Sequence, residues 1–194
     1  GDPGVPEVMA ATASPAEARG VWIGVDPGLQ ATGYAVLAGE AVLDHGCLRY
    51  DRRCGSAAQR RELYREGFRA LLQRWAAGES HVHVVFETQF VNVRERGARG
   101  QARANAALGL AVLRGALESV AREGGAEVHH APPQAGKRAL AGVSDAGKDT
   151  MIRMARARLG LNLLRKDEHV ADAAGLALAG QNAARARQAV QEAL

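Results

Sequence analysis

Three carboxylates stand at places where a folded chain builds chemistry. Asp26 closes the segment GVWIGVD, directly before a Pro-Gly pair, and Glu87 closes HVHVVFE. Asp172 follows His169 by three residues in EHVADAAGLALAG, a spacing that sets both side chains on one face of a helix. Singly, each has a plain explanation. Asp-Pro-Gly is a turn, Glu87 is the partner of a nearby arginine, and His169 is a structural histidine ahead of a buried helix. Asp167 and Glu168 read as capping and dipole residues of that helix. Yet a carboxylate at the end of an apolar strand, or at the start of an Ala/Leu/Gly helix, needs a cation or hydrogen bonds to offset its desolvation. Hard oxygen donors gathered from two strand ends and a helix suit two divalent metals, Mg²⁺ or Mn²⁺, at a phosphodiester. Such metals activate water and stabilise the leaving oxygen.

The elements that must position these residues follow from periodicity. Trp22, Gly24 and Asp26 alternate with Val21, Ile23 and Val25, a period-two strand. Residues 32–38 and 41–50 read as two more strands joined by a tight Gly39-Glu40 link, giving an antiparallel meander. Residues 57–77 carry a helical pattern, with Leu63, Leu71, Leu72 and Trp75 among charged residues. In residues 81–87, Val82, Val84 and Phe86 share one face, and His81, His83, Val85 and Glu87 the other. A long helix fills 101–122 with the apolar stripe Leu110, Leu113, Leu117 and Val120. Ala104, Ala111 and Gly115 form a nearby face of small residues. Residues 126–131 form a fifth strand that Pro132-Pro133 stops, and helices follow at 145–160 and 169–190. The order βββαβαβα with an extra helix predicts an α/β fold: a central mixed five-stranded sheet with helices on both faces.

Composition bounds the function. A chain of 194 residues is one domain at ~100–200 residues per domain, and it can bury roughly two thirds of its unfolded surface without a metal staple or disulfide. Cys47 and Cys54 are too few for a disulfide framework and read as small hydrophobes in a reducing cytoplasm. No apolar run reaches membrane-spanning length, and no signal peptide is expected. The first residue is Gly and not Met, so a trimmed start is expected. Residues 1–19 read as a disordered leader, 20–180 as the folded domain and 181–194 as a helical tail. The net charge is +4, but residues 133–166 alone carry +6 and residues 94–103 carry +3. Clusters of this kind mark a polyanion partner or a solvated helix face.

In this order the segments resemble the RuvC family of Holliday-junction resolvases, in the ribonuclease H-like superfamily. GVDPGLQATGYAV resembles its opening strand, turn and strand, and GCLRY (residues 46–50) its third strand. FETQF (86–90) matches its Glu-x-x-Phe element, GQARANAALGLAV (100–112) its long-helix start and HVADAAGLALA its last acidic helix. The resemblance implies a ribonuclease H-like fold over residues 21–180 and a structure-selective DNA endonuclease that cuts four-way junctions. Paired, symmetric nicks with 5′-phosphate and 3′-hydroxyl ends are implied, made by a homodimer working with the RuvAB branch-migration complex.

Carried over residue by residue, Asp26, Glu87 and Asp172 fall on three of the family's four acidic metal positions, and His169 falls on the fourth. Imidazole suits Mn²⁺ better than Mg²⁺, so a two-metal site favouring Mn²⁺ is expected; His169 is also placed to shuttle a proton to the leaving oxygen. Phe90 falls on an aromatic position that contacts the junction centre, where stacking on an unstacked base contributes ~1–3 kcal/mol; a core phenylalanine is the plain alternative. Lys137 and Lys148, eleven residues apart, resemble basic residues near the scissile phosphate. They are two of three lysines against 22 arginines, and Lys148 is expected to be catalytic. Arg94, Arg96, Arg99 and Arg103 are phosphate-positioning candidates. The rival readings are another ribonuclease H-like nuclease, a non-catalytic junction-binding protein and an actin-like ATPase.

Overall fold

In the computed structural model, which describes residues 20–76, 81–88 and 97–193, the alternation of small and branched residues becomes a sheet covered on both sides. The strands are β1 (Gly20–Asp26), β2 (Ala31–Ala38), β3 (Ala41–Arg49), β4 (His81–Glu87) and β5 (Glu127–Ala131), in spatial order β3-β2-β1-β4-β5. β1, β2 and β3 form the antiparallel meander; β4 and β5 run parallel to β1, so the sheet is mixed. The helices are α1 (Ala57–Ala76), α2 (Gly97–Glu123), α3 (Pro133–Ala141), α4 (Lys148–Leu159) and α5 (Glu168–Glu192).

The two faces of the sheet hold separate cores. Val21, Ile23 and Val25 of β1, with Val82, Val84 and Phe86 of β4, pack on Tyr64, Phe68 and Leu72 of α1 and on Leu113, Leu117 and Val120 of α2. On the opposite face Trp22 and Val85 pack under α5, whose residues Val170–Gln181 are buried almost without interruption. In α1 the deepest side chains are Tyr64 and Phe68, whereas Leu63 stays half-exposed. The expected fold class therefore stands.

Two readings need correction. The stretch after Pro132-Pro133 is not only the end of a strand. Pro at the first position opens α3, and Gly142 closes it in the left-handed conformation (φ 80°). Cys54 is exposed on a short 3-10 turn and not a buried hydrophobe, while Cys47 is half-buried beside the α5 core.

Glycines decide how close α5 comes to the sheet. A Cβ on Gly24 would lie 1.8 Å from the Ala173 carbonyl oxygen, and one on Gly33 would lie 2.2 Å from the His169 carbonyl oxygen. With no side chain at either position, the backbone of α5 rests directly on β1 and β2. A second close approach, between Gly136 of α3 and Gly175 of α5, leaves only 2.7 Å between a Gly175 Cβ and the Gly136 oxygen.

Candidate metal centre

The register of β1 and β4 sets Val25 beside Phe86, so the next pair along is Asp26 and Glu87. Both side chains leave the sheet on the α5 face, the face of Trp22 and Val85. α5 crosses above them in the glycine-enforced contact, and its first turns carry His169 and Asp172. Four residues distant in sequence are thereby brought together by two strand ends and one helix start.

His169 Nδ1 lies 2.6 Å from Asp26 Oδ2, a short charge-assisted hydrogen bond in which the imidazole donates. Asp26 raises the pKa of His169 through that bond. Burial, then the charges of Asp26 and Asp172, push Glu87 up to about 7. Burial, then Asp26, push Asp172 up to about 6. Lys137 of α3 opposes both shifts and lines a small cleft with Glu87 and Asp172. Arg114 of α2 donates to the Glu87 carbonyl oxygen at 3.4 Å and so fixes the end of β4.

This donor set is short of positive charge: one imidazole and one ammonium face three carboxylates, two of which are driven toward protonation. Hard divalent cations fit it. They favour carboxylate oxygens and would supply positive charge to offset the burial and the carboxylate repulsion that now raise Glu87 and Asp172.

The other expected residues divide. Lys148 opens α4, and its Nζ pairs with Glu168 at 2.7 Å on the rim, with the side chain largely exposed. Glu168 is thus a tether for α4, and Asp167 accepts from the Leu164 amide at 2.8 Å in place of capping α5 with its side chain. Arg103 is exposed on α2. The backbone of Arg99 lies in the first turn of α2, but its side chain, like Phe90, Arg94 and Arg96, falls outside the described residues.

Sequence reasoning missed a basic recess beside His169. Arg49, Arg165 and Lys166, with Gln30 and Glu168, line a cavity of about 500 Å³ that reaches the imidazole. Arg49 stands at the end of edge strand β3, and its guanidinium donates to the Lys166 carbonyl oxygen at 3.3 Å. Only the strand order β3-β2-β1 reveals that proximity.

Residues 22–180 match the model of the family described as crossover junction endodeoxyribonuclease RuvC. A relative of that name from Chlorobium phaeovibrioides is 30% identical over 163 residues, which cover 81% of this chain and 79% of the relative. One from Pelodictyon phaeoclathratiforme is 31% identical over 162 residues, covering 81% and 78%. The solved structure of Thermus thermophilus RuvC in complex with a Holliday junction substrate superposes with a TM-score of 0.69 at 27% identity, covering 85% of this chain and 94% of that one.

Proposed function

The chain belongs to the RuvC family of crossover junction endodeoxyribonucleases, and from that membership we propose that Asp26, Glu87, His169 and Asp172 carry its hydrolysis of junction phosphodiesters. The activity is that of a metal-dependent, structure-selective DNA endonuclease of recombination and repair. The observation that supports the site assignment is the meeting of two strand-end carboxylates with His169 and Asp172 under a helix seated on glycine. Residues 20–180 make up the nuclease domain in this reading, with residues 1–19 and 181–194 as leader and tail.

Mg²⁺ or Mn²⁺, two per site, would be held by the three carboxylates and His169, and when bound supplies an activated water and charge stabilisation at the phosphate. The chain's own residues do the rest. His169 must be neutral, so that Nε2 is free while Nδ1–H still donates to Asp26, and Glu87 and Asp172 must be ionised. Activity therefore rises through the neutral range. A ligand set containing imidazole favours Mn²⁺ over Mg²⁺. Lys137 offers positive charge beside Glu87 and Asp172, where the scissile phosphate would lie. Lys148, held out on Glu168, contacts the flanking backbone, and Arg49, Arg165 and Lys166 continue that path as phosphate contacts without sequence readout. By family resemblance Phe90 is assigned to stacking at the junction centre, and Arg94, Arg96, Arg99 and Arg103 to positioning phosphates.

A junction has near two-fold symmetry, so a two-fold homodimer sets two sites on opposed strands and yields ligatable nicks with 5′-phosphate and 3′-hydroxyl ends. Support comes from α2. The small-residue face does not pack on its own sheet: Ala111 and Gly115 face solvent, next to Leu108 at 66% and Val112 at 43% exposure. By family resemblance the partner machine is RuvAB, and the compartment is the cytoplasm. Among the described residues no helix is long and apolar enough to cross a membrane.

The test is cleavage of a labelled four-way junction beside a matched duplex and an RNA–DNA hybrid, across a metal series. Symmetric nicks in the junction alone are expected. Equal cutting of the duplex or hybrid would overturn junction selectivity.

A further inference from the structure

On the α5 face of the sheet, about 13 Å down β4 from Glu87 at ~3.3 Å per residue, a second set of donor atoms converges. The parallel register places His83 beside Glu127, and His129 follows two residues later on the same face of β5. His83 Nδ1 lies 3.1 Å from His129 Nε2 and 3.3 Å from Glu127 Oε2, and His129 Nε2 lies 3.5 Å from Glu127 Oε1. The three donor atoms all fall within 4.8 Å of one another. Trp22 fixes the ring planes: it stacks on His83 at 4.1 Å and on His129 at 5.1 Å between centroids. Both imidazoles are mostly covered, while the Glu127 side chain is 66% exposed, so solvent reaches the point the donors share.

Two ring nitrogens turned toward each other and toward one carboxylate present three lone pairs to a space that one proton satisfies. A cation of suitable chemistry takes the place of that proton. We propose that His83, Glu127 and His129 form a binding site for a divalent transition metal of the Zn²⁺ class, separate from the nuclease centre, which ties edge strand β5 to β4.

Donor chemistry selects the ion. Two imidazoles and a carboxylate leave one tetrahedral position for water, a set that suits Zn²⁺. Mg²⁺ and Ca²⁺ prefer oxygen donors. Burial lowers the pKa of both imidazoles, which keeps them in the neutral form that binds metal. Arg187 of α5 adds a like charge nearby, and the Glu127 carboxylate counters it.

The test is titration of the purified full chain with Co²⁺, read by the visible absorption of the tetrahedral ion, followed by displacement with Zn²⁺. The chromophore is expected in the wild type and in a D26N/H169A double variant, whose nuclease centre is disabled. It should vanish in His129→Gln, and Co²⁺ affinity should fall at least about tenfold in Glu127→Gln. Glu127 is exposed, so that variant folds even where a histidine variant does not. In the D26N/H169A background Zn²⁺ should also raise the unfolding temperature, and raise it less at the same concentration once Glu127→Gln is added. An absent chromophore in the wild type, its persistence in a folded His129→Gln, an unchanged Co²⁺ affinity in Glu127→Gln, or its loss in D26N/H169A would each overturn the proposal.

Discussion

At the scale of single residues, the bond between His169 and Asp26 is the site's most informative contact. It makes the histidine a competitor for a carboxylate oxygen as well as a donor. Asp26→Asn removes one proposed hard ligand and leaves the basic surface untouched; cleavage should drop at least about a thousandfold while junction binding, expected to rest mainly on phosphate contacts, stays within about threefold. Rate and gel-shift measurements on the same preparation check this, and near-normal turnover would remove Asp26 from the ligand set. His169→Asp exchanges a soft donor for a hard one. It should narrow the Mn²⁺ advantage over Mg²⁺ and move the rise of activity to higher pH, because the positive charge of His169 that holds Glu87 and Asp172 down is replaced by a further carboxylate. Pre-steady-state cleavage in both metals across mildly acidic to mildly basic pH decides it. A well-folded variant with unchanged metal preference would leave His169 outside the ligand set.

Elements set the distances that such chemistry needs. Gly24→Ala drives a methyl into the Ala173 carbonyl, so α5 must lift. About 1–3 kcal/mol of stability should be lost, with a loss of cleavage larger than the fraction unfolded explains. Thermal unfolding and activity per folded molecule measure the two separately, and full activity in a folded variant would break the link between helix height and chemistry. Lys148→Ala should behave in the opposite sense. The side chain is exposed, so stability should change by no more than about 0.5 kcal/mol while cleavage weakens; a large thermal shift with unchanged specific activity would make the lysine structural. Much of this was legible in the sequence. Strand alternation exposed β1 and β4 with Asp26 and Glu87 at their ends, and the i, i+3 spacing joined His169 to Asp172. What stayed hidden depends on lateral order. Arg49 reaches the site only because β3 lies at the edge beyond β2, and His83 meets Glu127 and His129 only through the β4–β5 register. α3 was missed because Pro-Pro reads equally as a strand stop and a helix start.

The whole molecule carries the electrostatic cost of its site. Glu87 and Asp172 bind protons more tightly in the folded chain than in the unfolded one, so the metal-free fold loses stability as pH rises from their ordinary range through about 6 and about 7. His169 acts in the same direction: its raised pKa stabilises the fold below its ordinary value, and that contribution fades as pH rises through the raised value. Because Glu87 is only partly screened from water, its share is discounted to ~1–2 kcal/mol. Mn²⁺ should therefore raise the unfolding temperature more at about pH 8 than at about pH 5, and Glu87→Gln should flatten the metal-free pH dependence. A pH-independent metal effect, read by calorimetry, would contradict it. Association is the second property at this scale. Leu108→Glu puts charge into the exposed apolar face of α2 and should yield a monomer by sedimentation, with single nicks replacing paired ones; an unaltered dimer would move the interface elsewhere.

Gly24 and Gly33 also bear on how such a nuclease is lost. Every missense change at a glycine codon adds at least one carbon, and at these two positions that carbon meets the backbone of the helix bearing His169 and Asp172. A gene can thus decay to inactivity with Asp26, Glu87, His169 and Asp172, the four proposed metal residues, intact. A side chain at either glycine is therefore expected to mark lost cleavage that a census of acidic residues would pass over.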